Sequence, residues 1–279
     1  MTQPPILTDR SALHSHRLRA RRLPDHAEAM FLHRIARDDV QERLSEVNRT
    51  FTSPAVVTGF PDFWADLAPS ARLVPDDEVL NLTPGAHDLV VHAMGLHWAN
   101  DPLGQLVQCR RALRPDGLFL GVFPGGRTLN ELRSALAEAE AQVTGGLSPR
   151  VLPMGEIRDL GALMQRAGLA LPVADSLTQT VHYRDFGRLM ADLRAMGETN
   201  ALAARPRSLA RRDVLAAAAS IYRESFATDA GLLPATVELI FLTGWSPDAS
   251  QQQPLRPGSA QARLADVLGV PEKPLPKEG

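Results

Sequence analysis

A single cysteine, Cys109, stands in 279 residues. One thiol excludes an internal disulfide framework and a cysteine-rich zinc site, and it fits a reducing, cytoplasmic compartment. No run approaches the roughly 18 consecutive apolar residues that a membrane span needs. The first residues lack the apolar core of a secretory signal. Net charge is nearly absent as well: 30 Lys and Arg against 32 Asp and Glu leave −2. That balance argues against a dedicated nucleic-acid binder. There is no internal repeat, and no H-x-D or paired-histidine pattern marks a metal site. What the chain does have is 44% apolar residues, enough at this length to bury a full core.

Hydrophobic periodicity divides the chain. Residues 25–47 predict a helix, with Met30, Phe31, Ile35, Val40, Leu44 and Val47 recurring at helical spacing. "AVVTG" (55–59) predicts a buried strand and "PDFWADL" (61–67) a short helix opened by proline. "ARLV" and "EVLNL" are weaker strand candidates, and "DLVVHA" (88–93) is a strong one. Asp101 and Pro102 then start a helix whose buried stripe is Leu103, Leu106, Cys109 and Leu113. "LFLGVF" (118–123) is the next strand, and Thr128 with Glu131 reads as a capping box for the helix after it. Strand, helix, strand, helix at this spacing implies a parallel sheet covered by helices. Beyond residue 150, helices are expected near 159–168, 186–200 and 208–225, and a strand over 234–245. The expected organisation is an N-terminal helical segment (1–50) and an α/β domain (51–245) with a helical cover near 186–225. A mostly flexible tail (246–279) follows, with one short helix at "SAQARLADVLG".

In such sheets ligands lie beyond the carboxyl ends of the strands. "MGLHWANDP" places His97 and Trp98 there, and "PGGRT" places Gly125, Gly126 and Arg127 at the end of the next strand. His97 suits a general base or ligand, Trp98 an apolar wall with one donor, and the glycine pair an anion-friendly turn. Arg127 and Arg133 could pair with a carboxylate. Glu198 and Asn200, after the helix end at Gly197, could orient a guanidinium. Each also has a plain structural role open to it: wall packing for His97 and Trp98, a tight turn for the glycines, solvation for the arginines, helix capping for Asn200. The basic stretch at 9–22 carries Arg17, Arg19, Arg21 and Arg22. These suit an acidic partner, an anionic membrane face or a solvated helix.

"DLVVHAMGLHWANDP", "LRPDGLF" and the glycine-ended strand at Gly59 resemble class I S-adenosylmethionine-dependent methyltransferases. Seven stretches in order, from "LHWANDP" through "GGRTLNELRSAL" and "MADLRAMGETNA" to "LPATVELIFLTGW", are similar to a narrower family. It is the methyltransferase-fold assembly factor of mitochondrial complex I and its bacterial relatives. A more distant similarity is to the malonyl-carrier-protein methyltransferase. The resemblance implies a Rossmann-like α/β sheet, S-adenosylmethionine as cofactor, and the iron–sulfur subunit of complex I as partner. It also implies methyl transfer or arginine hydroxylation, in a cytoplasmic protein able to sit at the inner membrane. On this alignment Gly59 would meet the cofactor's methionine part, and Asp76 or Asp77 its adenine.

The cofactor half departs from the family. The superfamily's first turn is of the type D-x-G-x-G-x-G, where glycine lets the backbone approach the ligand. Here it is "VVTGFPDFW", with Phe60 and Pro61 after the one glycine. Only about thirty residues separate Gly59 from Asp88, whereas two helix–strand crossovers need roughly 50. One βα unit is therefore expected to be reduced, and no acid remains to bind the ribose. A degraded site with Phe60 or Trp64 filling it is the expectation. The alternative is a functional methyltransferase acting on a protein or on a carrier-bound small substrate.

Overall fold

The computed structural model describes residues 6–68 and 70–251. The chain begins with α1 (Arg10–Ala20), α2 (His26–Ala29) and α3 (Phe31–Glu46). The sheet region follows as β1 (Pro54–Thr58), α4 (Pro61–Trp64), β2 (Arg72–Val74), β3 (His87–Ala93), α5 (Pro102–Ala112) and β4 (Leu113–Pro124). Then come α6 (Asn130–Thr144), α7 (Ile157–Arg166), β5 (Ala170–Tyr183), α8 (Phe186–Met196), α9 (Arg212–Phe226) and β6 (Leu233–Trp245). One compact unit ends at Asp248, and Ala249 begins a second. Most of the tail expected from Ser246, including its short helix, lies outside the described residues.

The strands form one sheet in the order β2-β1-β3-β4-β6-β5. β2, β1, β3 and β4 run parallel; β6 is antiparallel to β4, and β5 to β6. The adjacency expected for residues 55–59, 88–93 and 117–123 is therefore present. Parallel strands buried on both faces read as continuous apolar runs, and alternate residues supply the two cores. Val56, Val91 and Leu120 pack on one face with Ala36 and Val40 of α3. Ala55, Val57, Val90 and Phe119 pack on the other with Leu106 of α5 and Met164 of α7.

The connection from β1 to β2 carries α4 and a 3-10 turn, and that from β2 to β3 carries no helix among the described residues. This is the reduced βα unit. "EVLNL" lies outside the sheet because the Leu80 N–H is taken by Gln108 Oε1 at 2.8 Å. The helix expected over 25–47 breaks at Met30, whose ψ of 17° leaves the helical range. The capping box is absent too. Thr128 Oγ1 donates to the Glu238 carbonyl, and Glu131 accepts from Thr236 of β6. Both side chains tie α6 to the sheet instead of capping it.

In α5 the capping reading holds, with Asp101 accepting from the Gly104 N–H at 2.8 Å. Leu113, expected in the helix stripe, opens β4 instead, and Cys109 is fully buried. Burial pushes its thiol up to about 12. Cys109 is thus expected to stay unmodified by a thiol reagent in the folded protein and to react on unfolding. Labelling at native pH, followed by mass, checks this.

Candidate functional site

The chain runs from β1 to β2 on one side and then to β3 on the other, so the topological switch falls between β1 and β3. Ligands of open α/β sheets sit at such a point. Gly59 ends β1 there and Gly95 follows β3. A methyl group on Gly59 would lie 2.0 Å from Arg17 Nη1, and one on Gly95 would lie 2.6 Å from Asp76 Oδ2. The Arg17–Asp76 ion pair is laid across both glycines. Arg17 Nη1 donates to the two Asp76 oxygens at 2.7 and 2.9 Å. Both side chains are buried, at 7% and 5% exposure. Burial alone would raise the Asp76 carboxyl, but Arg17 and then Arg10 hold it below the usual carboxylate range. Arg10 also donates to the Asp76 carbonyl, and Arg21 to the Gly59 carbonyl at 2.7 Å. The guanidinium carbons of Arg17 and Arg21 each stand 5.5 Å from the Phe60 ring centroid.

These residues do not fit S-adenosylmethionine. Arg17 covers the glycine turn and Asp76 is already paired. Asp77 points to solvent with a side chain 74% exposed. The filling group expected in the crevice was Phe60 or Trp64; both are buried beneath it, and the group above the glycine is Arg17. This corrects the reading of the arginine-rich start. Arg17 does not face a membrane or partner, because Leu13, Arg17 and Ala20 form the buried stripe of α1. Arg19, Arg21 and Arg22 are exposed, Arg21 with a hydrogen bond to the Gly59 carbonyl. The spacing 13, 17, 20 was the signal for this, and counting charges hid it.

His97 and Trp98 lie in a 3-10 turn just after β3. Gly197 ends α8 at φ 87°, a conformation that favours glycine. The reversal carries Glu198 to that turn. Trp98 Nε1–H donates to Glu198 Oε2 at 2.8 Å, and His97 Nε2 lies 3.2 Å from the same oxygen. Burial would raise the Glu198 carboxyl, but His97, Arg17 and the indole N–H hold it at about 2. Glu198 Oε1 is buried with no hydrogen-bond partner among the described residues. Sequence reasoning missed His33 of α3. Fully buried, it accepts from Trp64 Nε1–H at 3.2 Å, and desolvation lowers its pKa to about 3.

Beside this cluster, between the end of β4 and helices α6, α8 and α9, is a cavity of about 270 Å³. Trp98, Leu132, Leu152, Met190, Met196 and Glu198 are among its walls. The lining is mostly apolar, and its methionines can adapt to irregular shapes. Asn200 also lines it, bridging to the Pro149 carbonyl at 2.9 Å.

Gly125, Gly126 and Arg127 lie between Pro124 and Thr128, which line the cavity, and are not themselves among its walls. The anion at their turn is internal. Glu238 of β6 accepts from the Arg127 N–H at 3.1 Å, and its Oε2 would meet a methyl on Gly125 at 2.6 Å. Arg127 itself is exposed, and Arg133 points to the carbonyls of Gly126, Thr128 and Leu152. Among the described residues no group of three or more His, Cys, Asp or Glu could hold a metal ion. No described helix is long and apolar enough to cross a membrane.

The sheet order, with its antiparallel β6 inserted beside β4, is the Rossmann-like arrangement of the class I methyltransferases, shortened by one βα unit. No family model matches the chain. It is 35% identical over 236 residues to arginine-hydroxylase NDUFAF5, mitochondrial, of Danio rerio, covering 84% of this chain and 73% of that protein. Against the Homo sapiens protein of the same name it is 38% identical over 199 residues, 71% of this chain and 57% of that one. It is 34% identical over 188 residues to the malonyl-[acyl-carrier protein] O-methyltransferase of Laribacter hongkongensis, 67% of this chain and 61% of that one. The chain belongs to the arginine-hydroxylase NDUFAF5 family. It spans less than two thirds of the length of its human relative.

Proposed function

We propose that this chain is a complex I assembly factor that holds a segment of a complex I subunit, the iron–sulfur subunit by family likeness, and transfers no methyl group. The observation that carries this reading is the contrast between two neighbouring spaces. The crevice at the sheet switch is filled by Arg17 on Asp76. The cavity beside it is open, mostly apolar and edged by Glu198, whose second carboxylate oxygen lacks a partner among the described residues. A carboxylate in an apolar wall suits the guanidinium of an arginine on the bound segment. His97 and Trp98 position that carboxylate by sharing its other oxygen. Hydroxylation would need an oxidising cofactor that side chains do not supply, and no step is assigned to one. Work in the cytoplasm, with Arg19 and Arg22 free to approach the inner membrane, agrees with this role.

The test is calorimetric. S-adenosylmethionine is expected to give no saturable heat up to about 1 mM, a concentration worth about 4 kcal/mol of binding. Arginine-containing peptides of the partner subunit are expected to bind, and Glu198→Gln to weaken them about 10- to 100-fold, the loss of one charge-assisted hydrogen bond. Low-micromolar S-adenosylmethionine binding with methyl transfer would overturn the proposal. It would favour the second reading, a methyltransferase acting on a protein or carrier-bound substrate, to which the 34% identity with the Laribacter hongkongensis enzyme lends support.

A further inference from the structure

The Arg17 guanidinium is poorly served as a donor set. It has five N–H groups, yet among the described residues only Nη1 makes hydrogen bonds, and Nε and Nη2 are buried without a partner there. What the crevice does supply is a buried carboxylate, a ring face and two bare glycine floors. Those features recognise positive charge and compact shape, and they are indifferent to donor pattern. We infer that the switch-point crevice is a binding site for one compact monocation, guanidinium in type, and that Arg17 is its resident occupant, held in place by α1. This rests on the reading that the native chain does not take up S-adenosylmethionine.

α1 is anchored independently of Arg17. The Asp9 N–H donates to the Ala201 carbonyl at 2.8 Å, and Thr8 bridges to Leu202. His16 Nδ1 lies 3.2 Å from the Thr199 carbonyl, and Arg205 reaches Asp9 at 3.0 Å. Truncating Arg17 should therefore empty the crevice while the helix stays docked, leaving Asp76 with only the longer 3.5 Å contact from Arg10.

The experiment is chemical rescue of Arg17→Ala in the full chain, read by thermal unfolding. The variant should melt below the wild type. Methylguanidinium at about 10 mM should restore about half of the lost melting temperature, as mass action requires of a ligand of the folded state. Sodium chloride at equal ionic strength should restore none of it, and methylguanidinium should leave the wild type unmoved. A folded Arg17→Ala protein that shows no rescue overturns the inference even when the wild type ignores S-adenosylmethionine. Saturable S-adenosylmethionine binding by the wild type overturns the reading beneath it, so the two failures are distinct. Should Arg17→Ala not fold, Asp76→Asn serves. Trypsin cleavage after Arg17 is expected to accelerate about tenfold or more as local opening becomes easier, with Asp77→Asn as the unaffected control. Equal cleavage rates in Asp76→Asn and wild type would count against the resident-cation site.

Discussion

Asp76→Ala is expected to destabilise the folded protein by about 3–5 kcal/mol, the usual cost of removing one partner of a buried ion pair. For a unit of this size that corresponds to a fall in Tm of roughly 6–20 °C. The magnitude comes from what is left behind. Arg17 is 7% exposed, two of its three nitrogens already lack partners among the described residues, and its charge cannot be neutralised by losing a proton. Asp77→Ala, one residue on and 74% exposed, should change stability by less than about 0.5 kcal/mol. Replacing both members, as Arg17→Met with Asp76→Leu, should recover most of the loss, since apolar groups of similar volume substitute well for buried pairs. Urea unfolding of the four proteins decides the matter, and an Asp76→Ala loss no larger than that of Asp77→Ala would refute a stabilising buried pair.

Acid should unfold this protein in two stages, and the sign follows from the direction of each shift. The His33 pKa is lowered from 6.5 to about 3 by burial. The unfolded chain therefore binds a proton first, and stability falls as pH drops below about 6.5. Glu198 is lowered from 4.5 to about 2, against burial, by His97, Arg17 and Trp98. Its contribution is complete above about 4.5 and is lost as pH falls toward 2, with the Asp76 carboxyl acting in the same sense. At about 1.4 kcal/mol per unit, the His33 and Glu198 shifts are each worth on the order of 3–5 kcal/mol. Denaturant midpoints measured from pH 7 to pH 3.5 should slope downward throughout. His33→Gln, which keeps an acceptor for the Trp64 indole, should flatten the limb between pH 6.5 and 4.5. Glu198→Gln should flatten the limb below 4.5. Slopes unchanged in both variants would show that other groups carry the acid response.

The parallel half of the sheet was legible because its strands are buried on both faces and therefore spelled in mostly apolar runs, "AVVT", "DLVVHA" and "LFLGVF". β5 was not, because an edge strand alternates exposed and covered positions and this one carries Pro172 and a polar "DSLTQT" run. The meeting of His97, Trp98 and Glu198 could be anticipated: one group follows a strand end and the other a glycine-closed helix at the same sheet edge. Arg17 could not be read from charge, only from sharing a helical stripe with Leu13 and Ala20. Glu238 reaches the Gly125 turn through antiparallel pairing, with Pro124 opposite Leu239. Such cross-strand register leaves no mark in either local sequence.

The strap formed by α1 also sets an order of assembly. Its ion-pair partner lies 59 residues further along the chain, and the Thr8 bridge reaches Leu202. The helix leaves the ribosome before any surface on which it docks exists. Contacts so distant in sequence form late, because loop closure must precede them. The parallel half of the sheet, whose pairings close shorter loops than this, is thus expected to condense first, with Gly59 and Gly95 still uncovered and Asp76 a bare carboxylate, and the N-terminal helix to arrive afterwards. During that interval the nascent protein resembles an open nucleotide-binding fold more closely than the finished one does. A small cation or a chaperone surface present at that moment would compete with the protein's own side chain for the same place.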